Sequence, residues 1–103
     1  MRYRLSPLAE TDLIEAWVYV AEEAGEPQAD TVIGRILEAL VTLAEFPSAG
    51  RRRPEFGSGV RSYPVASYVI YYQPADVLLV SRVLHGRRDQ LAAWRHSPQQ
   101  EGE

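Results

Sequence analysis

The chain has 103 residues, 46% of them hydrophobic and 24% charged, which supports one soluble domain with a single modest core. It contains no cysteine, which excludes disulfides, thiolate zinc sites and a cysteine nucleophile. The net charge of −3 hides an asymmetry: residues 1–50 carry three Arg against nine acids, while residues 51–103 carry eight Arg against five, and no Lys occurs anywhere.

Arg2 to Leu5 alternates polar and apolar residues and predicts a short first strand. Ser6-Pro7 is a strong helix start, with Ser as N-cap and Pro at the first helical position. Ala9, Leu13, Ala16, Trp17, Val20 and Ala24 recur at helical steps and form one apolar stripe, with Glu10, Asp12, Glu15, Tyr19 and Glu22 largely on the opposite side. Gly25-Glu26-Pro27 ends this helix and starts another, whose stripe runs from Ala29 through Val32, Ile36 and Leu40 to Ala44 before Phe46-Pro47. A link this short makes the two helices an antiparallel hairpin. Gly34 inside the second helix suggests a close helix crossing.

Residues 47–59 carry three glycines and two prolines and read as a loop, with Arg51-Arg52-Arg53 as a solvated run. The glycines do not fit the phosphate-binding pattern GxxxxGK[ST]. Beyond them the period changes to two, and residues 60–65, 67–73 and 76–84 predict three strands in consecutive hairpins. Pro64 cannot donate to a ladder and marks the first as a local edge. The third is the most apolar and belongs inside the sheet; its alternation places Leu78, Val80, Arg82 and Leu84 on one face. A sheet covered by the hairpin on one face would leave apolar and tyrosine side chains partly open on the other, a surface suited to a protein partner. Residues 87–94 predict a short final helix with Leu91 and Trp94 on one side, and 97–103 a disordered polar tail, so the domain is expected to span 1–96.

Chemistry gathers at Arg82-Val83-Leu84-His85-Gly86-Arg87-Arg88-Asp89, where an apolar strand runs out into a cluster of cations around a histidine. Strand exits hold side chains rigidly while letting them reach solvent. His85 is either a hydrogen-bonded strand-end residue or a proton-transfer group, and Arg82 on a sheet face is expected to pair with an acid such as Glu55 or a helix carboxylate. Two histidines eleven positions apart without an acidic cluster make no metal site, and no cofactor motif is present. The N-terminus lacks the apolar core of a secretory signal, and no apolar run approaches the ~20 residues that span a bilayer, so a cytoplasmic protein is expected.

The order of these elements, with Tyr3-Arg4-Leu5-Ser6-Pro7, Ala9, Asp12-Leu13, Phe46-Pro47-Ser48-Ala49-Gly50-Arg51, Val60-Arg61, Tyr68-Val69-Ile70-Tyr71-Tyr72 and the octet at 82–89, resembles the RelE/ParE superfamily of bacterial toxin-antitoxin toxins over residues 3 to about 94. The resemblance implies an α+β fold, β-α-α-β-β-β with the helix hairpin on one face of a mainly antiparallel sheet, and a toxin bound by a cognate antitoxin with its own DNA-binding domain in a hetero-oligomer. RelE-like members cut mRNA on the ribosome; ParE-like members poison DNA gyrase. Metal-free RNA cleavage requires a group that activates the 2′-hydroxyl, cations for the phosphorane and an acid for the leaving oxygen. RelE-like enzymes take these from Lys and Arg on the middle strands, where this chain has no Lys and has Tyr68 in place of an Arg. Arg61, His85, Arg87 and Arg88 would be the nuclease set, but the ParE-like reading, which the octet resembles most, is favoured. On that reading Arg61, Tyr68, Arg82, His85, Arg87, Arg88 and Trp17 are the candidate contacts to target or antitoxin; Trp17 otherwise belongs to the core.

Overall fold

The computed structural model describes residues 2–88 and 90–95. The expected domain limit at 96, the tail at 97–103 and Asp89 lie outside them. Strand β1 (Tyr3–Leu5) leads into helices α1 (Pro7–Ala24) and α2 (Glu26–Glu45). Strands β2 (Arg51–Arg52), β3 (Arg61–Val65), β4 (Tyr68–Gln73) and β5 (Leu78–His85) follow, then helix α3 (Gln90–Arg95). The strands form one sheet in the order β1-β5-β4-β3-β2, with β1 parallel to β5 and the other pairs antiparallel. The fold is α+β, with the helix hairpin over one face of a mainly antiparallel sheet.

The local signals act as their chemistry requires. The Ser6 hydroxyl accepts the Ala9 N–H at 2.9 Å and caps α1, with Pro7 at the first helical position. Gly25, at φ +97°, closes α1 and opens α2, a backbone conformation that a side chain would strain. Across the hairpin the Trp17 indole N–H donates to Asp30 at 2.8 Å, so Trp17 is a half-buried clasp between the helices. Ala9, Ala16, Ile36, Leu40 and Leu43 pack against Ile70, Tyr72, Leu78, Val80 and Val83 to form the main core. Truncating a leucine in such a core costs about 2–5 kcal/mol.

Five sequence expectations need correction. Asp12, placed on the solvated side of α1, is buried, at i+3 from Ala9 and i−4 from Ala16 on the core stripe. In β5, Tyr71 pairs with Arg82 but Tyr72 pairs with Val80, so Ser81 is an extra residue and the alternation changes phase there. Leu78 and Val80 therefore join Val83 under the helices, while Leu84 faces the other side with Tyr71. That second face is not open: Phe56, Val60 and Trp94 cover Tyr71 and Leu84 in a small core of their own, and Tyr71 is fully buried. The arginine triplet is divided, because Arg51 and Arg52 form an edge strand on β3 whose charge discourages further strand pairing, while Arg53 turns inward onto Glu55, Ser62 and the Phe56 ring. Since β2 reaches only Ser62 and Arg61, β3 remains a local edge at Pro64. Finally, a Cβ on Gly34 would meet nothing within 4 Å, so no close crossing requires this glycine, although it costs the helix about 1 kcal/mol relative to Ala.

The turn after α2 is held by one tyrosine. The Tyr72 hydroxyl donates to the Pro47 carbonyl at 2.7 Å and accepts the Gly50 N–H at 2.8 Å. A Cβ on Gly50 would strike that hydroxyl and stand 2.8 Å from the Ser62 carbonyl oxygen, so backbone and side chain both refuse it. Gly50→Ala is expected to lower the free energy of unfolding by about 1–3 kcal/mol in a urea titration, against less than about 0.5 kcal/mol for the exposed Ala49→Ser control.

Candidate functional site

Strand β1 covers only Leu78 to Val80 of β5, so the free edge of β5 beyond Val80 must find other partners. The start of α1 supplies them. The Ser6 N–H donates to the Val80 carbonyl at 2.9 Å and the Ser6 hydroxyl to the Ser81 carbonyl at 2.8 Å. Asp12 then accepts the Val83 N–H at 2.9 Å. The same carboxylate takes Arg82 in a two-pronged pair, Nε at 2.8 Å and Nη2 at 2.9 Å, with both side chains over 90% buried. Hydrogen bonding to Asp12 is the main reason the Arg82 guanidinium is held above its ordinary pKa, against the opposing effect of burial. Arg82 shares its face with Tyr71 and reaches round the strand edge, where Nη1 lies 3.5 Å from the Ala93 carbonyl of α3.

Where α1 is pinned to the end of β5, a cleft of about 400 Å³ opens. Ala16, Val83 and the Asp12 carboxylate form its floor, Glu15 and Tyr19 one wall, Tyr68 and His85 the other, with Arg87 and Arg88 at the mouth. Tyr68 and His85 are register partners on β4 and β5. Their rings meet edge to face at 5.1 Å, and Tyr19 approaches the imidazole in the same way at 5.9 Å. The His85 Nδ1 accepts the Arg87 N–H at 3.1 Å, which fixes the ring over the start of the following turn. Burial pushes the Tyr68 phenol above its ordinary range, with Tyr19 adding to the shift, so this hydroxyl stays protonated at neutral pH. Because Asp12 is neutralised by Arg82, the charges left at the cleft are Glu15 on one side and the exposed Arg87 and Arg88 on the other.

The octet thus separates into two kinds of residue. His85, Arg87 and Arg88 come together with Tyr68 around the cleft, whereas Arg82 lies beneath it as an internal cation paired with a helix carboxylate, not with Glu55. Arg61 is at the other end of the sheet: it pairs with Tyr72, four residues or about 13 Å along β4 from Tyr68, and its guanidinium donates to the Ser48 and Gly50 carbonyls. The structure therefore does not gather the set Arg61, His85, Arg87 and Arg88. Trp17 lies on the side of α1 that meets α2, away from the cleft. Glu15 and Tyr19 were passed over in the sequence because they fall on the polar side of the helix, which here forms a wall of the cleft.

Residues 3–90 match the family model described as ParE toxin of the type II toxin-antitoxin system parDE. The chain belongs to the ParE toxin family. It is 32% identical over 90 residues to Toxin ParE1 of Mycobacterium tuberculosis strain H37Rv, covering 85% of this chain and 92% of that one. It is 30% identical over 83 residues to Toxin ParE1 of Caulobacter vibrioides, covering 81% and 86%. A chain from the solved chromosomal ParDE TA system of P. aeruginosa superposes with a TM-score of 0.71 at 18% identity, covering 82% of this chain and 95% of that one, and so has the same fold.

Burial raises the phenols of Tyr68, Tyr71 and Tyr72 above their ordinary value of 10.0. The unfolded chain then releases protons that the folded ParE domain retains, so stability is full below pH 10 and falls as pH rises through the shifted range. Denaturant titrations from about pH 8 to 11.5 are expected to show this loss, with a shallower decline in Tyr68→Phe. Stability that stayed flat over the interval would contradict the burial account.

Proposed function

We propose that this ParE-family toxin arrests growth by binding DNA gyrase through the cleft at the end of β5, and that its cognate antitoxin neutralises it by occupying the same cleft. The observation that carries this reading is the composition of the cleft: aromatic rings on both sides, Tyr19 against Tyr68 and His85, next to two exposed arginines, over a floor already neutralised by the Asp12–Arg82 pair. Aromatic and arginine side chains at the edge of a cleft are strong anchors for a protein partner. The two guanidinium forks suit carboxylates on gyrase and on an acidic antitoxin segment.

Family membership supports the toxin role. Recognition rather than RNA cleavage is supported by the position of Arg61, whose guanidinium is engaged by the turn at Ser48 and Gly50, about 13 Å along the sheet from Tyr68 and His85. A nuclease built on the set Arg61, His85, Arg87 and Arg88 would require that cation beside the scissile phosphate. The proposal places the protein where gyrase works, in the cytoplasm, with the antitoxin as its stable partner in a hetero-oligomer.

A gyrase supercoiling assay tests the reading. Purified toxin is expected to block supercoiling in a dose-dependent way, and added antitoxin to restore it. The double variant Arg87→Ala/Arg88→Ala should need at least about tenfold more protein for the same effect, about 1.4 kcal/mol of lost binding, while unfolding at an unchanged denaturant midpoint. Full gyrase activity at high toxin excess, together with toxin-dependent mRNA cuts in a toeprint of translating ribosomes, would replace it with the nuclease reading.

A further inference from the structure

At the end of the sheet away from the cleft, a second pocket of about 530 Å³ opens beside the β2 edge, a volume in the range of small-molecule sites. Arg52 and Arg61 line it, together with Pro54, Pro74 and the turn at Ser58 and Gly59. The two arginines stand directly opposite each other on the antiparallel strands β2 and β3. Opposed residues project from the same face, and like charges in that position destabilise a ladder. No carboxylate relieves them. Glu55 is the only acid between Glu45 and Asp76, and Arg53 holds it at 2.9 Å. Among the described residues, no acid lines the pocket.

Both arginines keep donors for a ligand. The Arg61 Nη1 donates to the Gly50 carbonyl at 2.7 Å and reaches the Ser48 carbonyl at 3.3 Å, which fixes the guanidinium while Nε and Nη2 stay unengaged among the described residues. The Arg52 side chain is exposed and has no hydrogen-bond or ion-pair partner among them. The lining turn is also well held: the Val60 N–H closes it on the Gly57 carbonyl at 3.2 Å, and the Gln73 amide ties it to β4 by donating to the Ser58 carbonyl at 2.9 Å. The N–H groups of Ser58 and Gly59 take no part in these bonds, and successive free N–H groups in a turn suit an anion.

We infer that this pocket is a binding site for a small organic phosphate, whose dianionic phosphate group lies between Arg52 and Arg61. A phosphate monoester carries about −1.5 to −2 charges at pH 7, so a single group balances both cations where a carboxylate would balance one. Its oxygens match the planar guanidinium forks. Pro54 and Pro74 offer apolar surface to the organic part. A nucleic-acid backbone, with one charge per phosphate, is gripped instead by a line of cations along its length. The site is separate from the cleft and does not depend on the gyrase reading.

The probes are adenosine 5′-monophosphate, inorganic phosphate and adenosine, each titrated into the full chain by calorimetry at constant ionic strength, because salt screens exposed charge. The monophosphate is expected to bind more tightly than inorganic phosphate, and adenosine not to bind. Arg52→Gln is the decisive variant, because it removes a side chain without partners and relieves the opposed charges. Its melting temperature should not fall, yet its affinity for the monophosphate should drop at least about tenfold. Arg87→Ala/Arg88→Ala, at the cleft, should bind the monophosphate as wild type does. Equal binding of the monophosphate and adenosine, wild-type affinity in Arg52→Gln, or loss in the cleft variant would overturn the inference. Equal affinity for the monophosphate and inorganic phosphate would overturn the organic occupant. A DNA oligonucleotide that bound through Arg52 while the monophosphate did not would also contradict it, since the ligand would then be a nucleic-acid backbone.

Discussion

The Asp12 carboxylate satisfies three donors at once: two from the Arg82 guanidinium and the backbone N–H of Val83. Each removes a different problem. Arg82 could not be buried without a counter-charge, and the Val83 N–H sits on a strand edge that β1 is too short to cover. A buried ion pair of this kind adds little net stability by itself, but removing one partner strands the other in a medium that solvates it poorly. Its effect is on geometry: it fixes the middle of α1 against the end of β5, and that junction sets the distance between the Glu15–Tyr19 wall and the Tyr68–His85 wall of the cleft.

The same junction explains which parts of the structure were legible in the sequence. The N-cap at Ser6, the break at Gly25 and the change of period after residue 59 are local matters, decided by residues within a turn or two of each other, and the structure follows them closely. Asp12 failed because its partner is 70 positions away, and helical spacing alone favours the exposed side for an acid. Its step of three from Ala9 and four to Ala16 was the available signal. The bulge at Ser81 left no mark in the alternation of β5, since both faces of that strand are apolar, and so the placement of Leu84 and Arg82 on the face of Leu78 and Val80 went wrong. The two-residue strand at Arg51 and Arg52 is below the length at which a pattern exists.

The candidate site was partly visible for the same reason. His85, Arg87 and Arg88 are near neighbours in the chain, and their shared position at a strand exit follows from the strand itself. Their companions Glu15 and Tyr19 come from α1 and could be found only once the register of α1 on β5 was known. Arg61 shows the converse, because its type suited the chemistry while its place did not. The fold also separates charge, with acids along the two helices and exposed arginines at the sheet's β2 edge and at the cleft mouth.

The claim that the Asp12–Arg82 pair ties α1 to β5 is tested most directly by a double-mutant cycle in urea unfolding. Asp12→Ala and Arg82→Met should each cost about 3–5 kcal/mol, because each leaves a buried charge without its partner. The double variant should cost clearly less than the two losses together, with the surplus appearing as coupling between the sites. Losses that simply added, or single losses below about 1 kcal/mol, would contradict the account.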